Sequence, residues 1–121
     1  MQFHTYSQLA VSLEQVQANL ARYHLLDDRI RFVQGWFGDT LPEAPIKQIA
    51  LLRLDGDMYE STIDALVNLE PRVSPGGFVI VDDYGGIEAC REAVGDYRAK
   101  AGITAEIHEV DWTGAWWQKD D

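Results

Sequence analysis

The sequence predicts an α/β fold built on a mostly parallel sheet. Two short apolar runs, at 49–54 and 77–81, are rich in aliphatic residues and are bounded by turn residues, as buried parallel strands are. A segment of helical character separates them, which predicts a strand, helix, strand unit. The C-terminal segments 104–110 and 115–118 flank a turn at Gly114, and this arrangement predicts an antiparallel hairpin.

The N-terminal part of the chain predicts one helix and one strand. Ser12 and Gln15 have the spacing of a capping box, and apolar residues follow at helical intervals, so we expect a helix at 13–24. Residues 29–34 alternate polar and apolar side chains, which is typical of a half-buried strand. Trp36 is therefore expected just after the carboxyl end of that strand.

Two further helices are predicted around the second core strand. Ser61 can cap a helix between the two apolar runs. The side chains of this helix that are expected to face the sheet are Ile63, Leu66 and Val67. After the second run, apolar residues recur at intervals of three and four from Ile87 to Ala101. Gly102 then stands where a helix C-terminus favours a left-handed residue, so the third helix is expected to end there.

Composition and charge narrow the classes of function. The chain has 121 residues, 46% of them hydrophobic, which favours a single folded domain over 1–121. Twenty acidic residues against ten Lys and Arg give a net charge of −10, which repels nucleic acid and anionic membranes. The first residues do not resemble a signal peptide, no apolar stretch reaches membrane length, and Cys90 is the single cysteine. We therefore expect a cytoplasmic protein that binds neither nucleic acid nor membrane.

Acidic residues follow both core strands directly. Asp55 comes after the first, and Asp82 and Asp83 come after the second. Because open α/β sheets bind ligands at the carboxyl ends of their strands, these side chains are expected to converge, and their hard oxygens suit Mg²⁺. Neighbouring strand residues point to opposite faces, so Asp82 and Asp83 can share an ion only if the chain turns there. Gly85 and Gly86 permit such a turn.

The residues alone also allow a purely structural role for these acids. Asp82 and Asp83 would then cap the following helix, and Asp55 would satisfy a turn. Asp57 is the candidate general base, because it lies two residues beyond Asp55 and on the same side if the strand continues. Gly56 could instead reverse the chain and leave Asp57 as a helix cap. Asp55 and Asp57 could also exchange the roles of ligand and base.

Three segments of the chain resemble the macrocin O-methyltransferase family. They are LRLDGDMYEST (52–62), GGFVIVDDY (76–84), and GWF (35–37) with DTLP (39–42). Members of that family are sugar O-methyltransferases of natural-product biosynthesis that depend on S-adenosylmethionine and magnesium. The resemblance extends over about 9–117 and implies a Rossmann-like class I methyltransferase fold, with a glycosylated small molecule as substrate.

The resemblance also implies roles for individual residues. The acids that match the family's metal ligands are Asp55, Asp82 and Asp83, so Mg²⁺ and S-adenosylmethionine are the expected cofactors. The ring of Trp36 could flank the adenine of S-adenosylmethionine, and the alternative is a core aromatic residue.

One feature of the family is missing from this sequence. The family has an earlier segment that carries the first strand and its glycine-rich loop, and no G-x-G follows any strand here. We therefore expect the C-terminal part of a methyltransferase domain. The missing strand would lie between 31–34 and 49–54 in the sheet. We therefore expect that a second copy of the chain, a complementing N-terminal half or the chain's own repacked first strand covers that edge. The alternative function is a catalytically inactive remnant that serves as a binding or interaction module.

Overall fold

The computed structural model describes residues 13–33, 36–55 and 58–120. They belong to two compact units, one within residues 1–34 and one within 35–121. None of the helices in these described ranges is long and apolar enough to cross a membrane.

The first unit contains the helix α1 (Leu13–Arg22). This helix ends two residues before the predicted position, because His24 adopts a left-handed conformation with φ of 60°. The strand predicted at 29–34 is wrong over the described residues 29–33, which form no strand. Instead, the Asp27 carboxylate accepts hydrogen bonds from the backbone N–H and the guanidinium of Arg29, which closes a local turn.

The second unit contains a four-stranded sheet and its helices. Its elements are α2 (Phe37–Thr40), a 3₁₀ turn at Leu41–Glu43, β1 (Ile49–Leu54), α3 (Tyr59–Leu69), a 3₁₀ turn at Glu70–Arg72, β2 (Val73–Val81), α4 (Glu88–Ala101), β3 (His108–Glu109) and β4 (Ala115–Gln118). The strand order is β1-β2-β4-β3, with β1 and β2 parallel and β4 antiparallel to both of its neighbours. The predicted α/β sheet with a C-terminal hairpin is confirmed. Two strand bounds are wrong: β2 begins at Val73 and not at 77, and the first hairpin strand is His108–Glu109 and not 104–110.

The core lies under one face of this sheet. Alternate residues of the strands are buried, and they pack against the buried stripes of α3 and α4. The main members of this cluster are Leu52, Leu54, Leu66, Val79, Val81, Val94 and Trp117. Leu51 and Phe78 point to the opposite face and are partly exposed. Packing of a single face explains why the strands alternate between buried and accessible side chains.

Two details of the helices differ from the sequence predictions. Ser61 caps α3 from its third position and not as the N-cap: its hydroxyl accepts the N–H of the N-cap residue Met58 at 3.3 Å and donates to the Met58 carbonyl at 3.1 Å. Val67 does not face the sheet, because the buried stripe of α3 runs through Ala65, Leu66 and Leu69 and leaves Val67 55% exposed. The end of α4 is as predicted, with Gly102 left-handed at φ 71°.

A turn at residues 82–86 follows β2 and packs against the hairpin loop at 110–114. The Gly85 N–H donates to the Thr113 carbonyl at 2.7 Å. A Cβ on Gly85 would lie 2.4 Å from the Trp112 carbonyl oxygen, so no other residue fits without a backbone shift. The glycine therefore allows the turn and the loop to approach closely.

We predict that Gly85→Ala destabilises the protein by about 1–3 kcal/mol, because its methyl group forces the turn away from the loop. Gly95→Ala is the matched control: it lies within α4 with nothing within 4 Å of the added Cβ. This control should be stabilising by roughly 0.5–1 kcal/mol, the usual gain of alanine over glycine within a helix. Urea denaturation measures both changes. Equal unfolding midpoints for Gly85→Ala and wild type would contradict the close approach.

A second prediction concerns Tyr97, whose hydroxyl donates to the buried Glu70 carboxylate at 3.3 Å. Burial and the nearby Glu70 raise the pKa of Tyr97 to about 12. The folded pKa lies above the unfolded value of about 10, so this contribution is fully present below pH 10. It is lost as the pH rises from 10 through 12. Between pH 10 and 12, the free energy of unfolding of Tyr97→Phe should therefore fall less with rising pH than that of wild type. Tyr23→Phe, at an exposed site, is the control and should fall as wild type does.

Candidate metal centre

Three carboxylates meet at the carboxyl edge of the parallel strand pair. Asp55, Asp82 and Asp83 each offer one oxygen, and these oxygens all lie within 4.8 Å of one another. Leu54 pairs with Val81 in the sheet, and the Asp82 N–H donates to the Leu54 carbonyl at 2.9 Å. The acids that follow the two strands therefore leave the sheet side by side, as the sequence suggests. Their role as metal ligands stays a prediction.

The turn after β2 explains how two neighbouring acids reach the same place. β2 ends at Val81, and residues 82–86 form turns, so Asp82 and Asp83 are not held to opposite faces of a strand. The helix α4 begins six residues after Asp82, with Ile87 as its N-cap. Asp83 accepts the Ile87 N–H through its backbone carbonyl at 3.0 Å. Neither acid occupies the N-cap position of α4 that the structural alternative assigned to them.

Negative charge is concentrated in this cluster. Asp55 is exposed, yet partial desolvation, followed by repulsion from Asp82 and Asp83, raises the pKa of its carboxyl, while Arg53 acts in the opposite direction. Arg53 donates to the Asp82 carboxylate at 3.0 Å, and both side chains are about half exposed. The single guanidinium contacts one of the three acids. A bound cation would relieve the remaining repulsion.

Arg53 is a site residue that the sequence analysis did not select. The sequence did not indicate a role for Arg53, because this residue lies inside an apolar strand. Its contact with Asp82, which follows the neighbouring strand, depends on the pairing of the two strands. The available signal was its spacing, since a charged residue two positions before Asp55 lies on the same side of β1.

The other two candidate site residues have different outcomes. Asp57, the candidate base, lies outside the described residues, as does Gly56. Trp36 does not follow a strand but is the N-cap residue of α2. Its side chain is 58% exposed, which does not fit a core aromatic residue. The next residue, Phe37, lines a small groove of about 90 Å³ together with Leu54 and Asp55.

Comparison with known proteins identifies the family. The model of macrocin O-methyltransferase (TylF) matches residues 1–119. The chain is 64% identical over 110 residues to the 8-demethyl-8-(2,3-dimethoxy-α-L-rhamnosyl)-tetracenomycin-C 4'-O-methyltransferase of Streptomyces olivaceus, covering 91% of this chain and 42% of that protein. It is 52% identical over 122 residues to the mycinamicin III 3''-O-methyltransferase of Micromonospora griseorubida, covering 98% of this chain and 48% of that protein.

A solved structure gives the same result. The O-methyltransferase NovP superposes with a TM-score of 0.94 at 52% identity, over 98% of this chain and 49% of that one. The chain spans about half the length of the curated relatives it matches. The matching fold and these identities agree with the family model, and the chain belongs to the macrocin O-methyltransferase family.

Proposed function

We propose that the chain is part of an S-adenosylmethionine-dependent enzyme that methylates a sugar hydroxyl of a natural product at a divalent metal centre. The observation that carries the proposal is the convergence of three carboxylates at one edge of the sheet. The names of the relatives support the acceptor class, because both curated relatives are named as O-methyltransferases of complex natural products, and one name includes a rhamnosyl group.

The donor set fits Mg²⁺. Three carboxylates supply hard oxygens, and their mutual distances allow contact with one ion while open positions remain for a substrate. A divalent ion held there would lower the pKa of an acceptor hydroxyl and fix its direction. The turn at 82–86 is held against the hairpin loop by the hydrogen bond from the Gly85 N–H to the Thr113 carbonyl, so the backbone that carries Asp82 and Asp83 is arranged before any ion binds.

The base and the residue that contacts S-adenosylmethionine are assigned from the sequence predictions. We assign Asp57 as the general base, and Asp55 as the alternative base if Asp57 turns away. S-adenosylmethionine, when bound, would supply the methyl group to the acceptor oxygen, and the base would take the hydroxyl proton. We assign the exposed ring of Trp36 to the adenine of S-adenosylmethionine, since it precedes a residue that lines the groove beside Asp55.

We also propose what pairs with the exposed edge of the sheet and in which compartment the protein works. β1 is an edge strand of the described sheet, and its Leu51 is 55% exposed. We propose that a preceding half of the enzyme or a second copy of the chain pairs with this edge, which light scattering of the chain alone and with an added N-terminal half would resolve. Cys90 is the one cysteine of the sequence, so the chain forms no disulfide within itself, and we propose the cytoplasm.

The metal centre is tested by calorimetric titration with Mg²⁺ alone. Asp55→Asn and Asp82→Asn should each weaken binding by roughly tenfold or more, because each removes a charged ligand. Glu92→Gln is the matched control, since it makes the same change in net charge on the exposed face of α4. Equal weakening by all three variants would mean that Mg²⁺ responds to overall charge, and the proposed centre would be wrong.

A variant that removes a positive charge is expected to have the opposite effect on Mg²⁺ binding. Arg53→Met removes the guanidinium that contacts Asp82, while keeping the aliphatic part of the side chain. We expect Mg²⁺ to bind a few-fold more tightly, because the ion no longer competes with Arg53 for the Asp82 carboxylate and is no longer repelled by the positive charge of Arg53. Weaker binding by Arg53→Met would contradict the arrangement of charges described here.

Separate titrations with S-adenosylmethionine and Mg²⁺ distinguish an enzyme from a remnant. Binding of both, with methyl transfer to a rhamnoside acceptor, is the expected result. The contrary result is that the chain binds Mg²⁺ but does not bind S-adenosylmethionine, whether it is alone or mixed with a complementing N-terminal half. The chain would then be a binding module, and the catalytic proposal would fail.

A further inference from the structure

Among the described residues, Trp112 is the most exposed large hydrophobic side chain, with 82% of its surface accessible. It lies in the hairpin loop at 110–114, at the same end of the sheet as the acid cluster. A Cβ on Gly86 would lie 3.5 Å from Cζ3 of the Trp112 ring. Gly86 is three residues after Asp83, so the ring lies against the turn that carries two of the three acids.

The loop that carries Trp112 is held by several hydrogen bonds. One oxygen of the Asp111 carboxylate accepts the Gly114 N–H at 2.6 Å, the Thr113 N–H at 2.8 Å and the Thr113 hydroxyl at 3.0 Å. The Thr113 carbonyl accepts the Gly85 N–H, which joins the loop to the turn. The loop therefore presents the indole ring from a fixed backbone, although the ring itself contributes little to the core.

An exposed indole beside a cluster of acids suits a sugar ligand. Single exposed apolar side chains are common on protein surfaces, and this ring differs from the others in lying against the turn that carries Asp82 and Asp83. The C–H face of a sugar ring can cover the indole, while hydroxyl groups at the edge of the same sugar remain free to reach polar groups. Asp82 and Asp83, on the turn against which the ring lies, supply such polar groups.

We propose that Trp112 is the stacking residue for the acceptor sugar, a 6-deoxyhexose glycoside with adjacent hydroxyl groups. The proposal rests on the proposed function and adds to it a residue that positions the sugar. The indole supports one face of the sugar ring and directs its hydroxyl edge toward the cluster of Asp55, Asp82 and Asp83. Trp112 touches the sugar but takes no part in moving the proton.

The test is binding of methyl α-L-rhamnopyranoside in the presence of Mg²⁺, measured by calorimetry and by tryptophan fluorescence. Trp112→Ala should weaken sugar binding roughly three- to tenfold, which corresponds to the usual value of one ring contact. Trp112→Phe should retain much of the affinity. Val110→Ala is the matched control, because it removes an exposed apolar side chain from the same loop and should bind the sugar like wild type.

In steady-state methyl transfer by the complete enzyme, Trp112→Ala should raise KM for the glycoside more than it lowers kcat. Mg²⁺ binding should be unchanged in all three loop variants. If wild type binds Mg²⁺ but Trp112→Ala binds the sugar equally well, or wild type binds no sugar, the stacking role is wrong while the metal centre stands. A change in oligomeric state caused by Trp112→Ala would assign the ring to a contact between copies, and would also overturn the proposal.

Discussion

The parallel pairing of β1 with β2 is the constraint on which the candidate site depends. Leu54 lies opposite Val81, and the pairing continues for one more hydrogen bond, from the Asp82 N–H to the Leu54 carbonyl. A slip of one residue would turn the buried side chains of a strand to the other face. Burial of both Leu54 and Val81 therefore fixes the register. The same register sets Asp55 beside Asp82.

The surroundings of the acid cluster hold it in place. Partial desolvation and repulsion from Asp82 and Asp83 raise the pKa of Asp55, so bringing the carboxylates together has an energetic cost in the absence of a cation. The core packing beneath the sheet, the contact of Arg53 with Asp82, and the docking of Gly85 against Thr113 hold it in place. Functional sites commonly contain locally unfavourable electrostatic interactions that a well-packed fold holds in place.

The two faces of the sheet have different environments in the described part of the second unit. α3 and α4 supply the apolar layer against Leu52, Val79 and Val81, whereas Leu51 and Phe78 on the other face are partly accessible. Phe78 makes an edge contact with Trp116 at a centroid distance of 5.8 Å, so this face has some apolar packing of its own. Accessible apolar residues beside an edge strand are consistent with relatives that are about twice as long.

The sequence by itself determined β1, the carboxyl end of β2, and the α4 helix with its end at Gly102, because each of these is specified by nearby residues. Hydrophobic periodicity and a left-handed glycine are local signals. It also indicated the convergence of Asp55, Asp82 and Asp83, since parallel strands end at the same edge. The strand expected at 29–34 failed because alternation does not provide a partner strand, and Asp27 closes a turn there instead. Only the tertiary structure decided the contact of Arg53 with Asp82, the exposed position of Val67, and the packing of Trp112 beside Gly86. These features depend on which residues distant in the chain meet across the sheet and the hairpin, and local sequence patterns do not record such meetings.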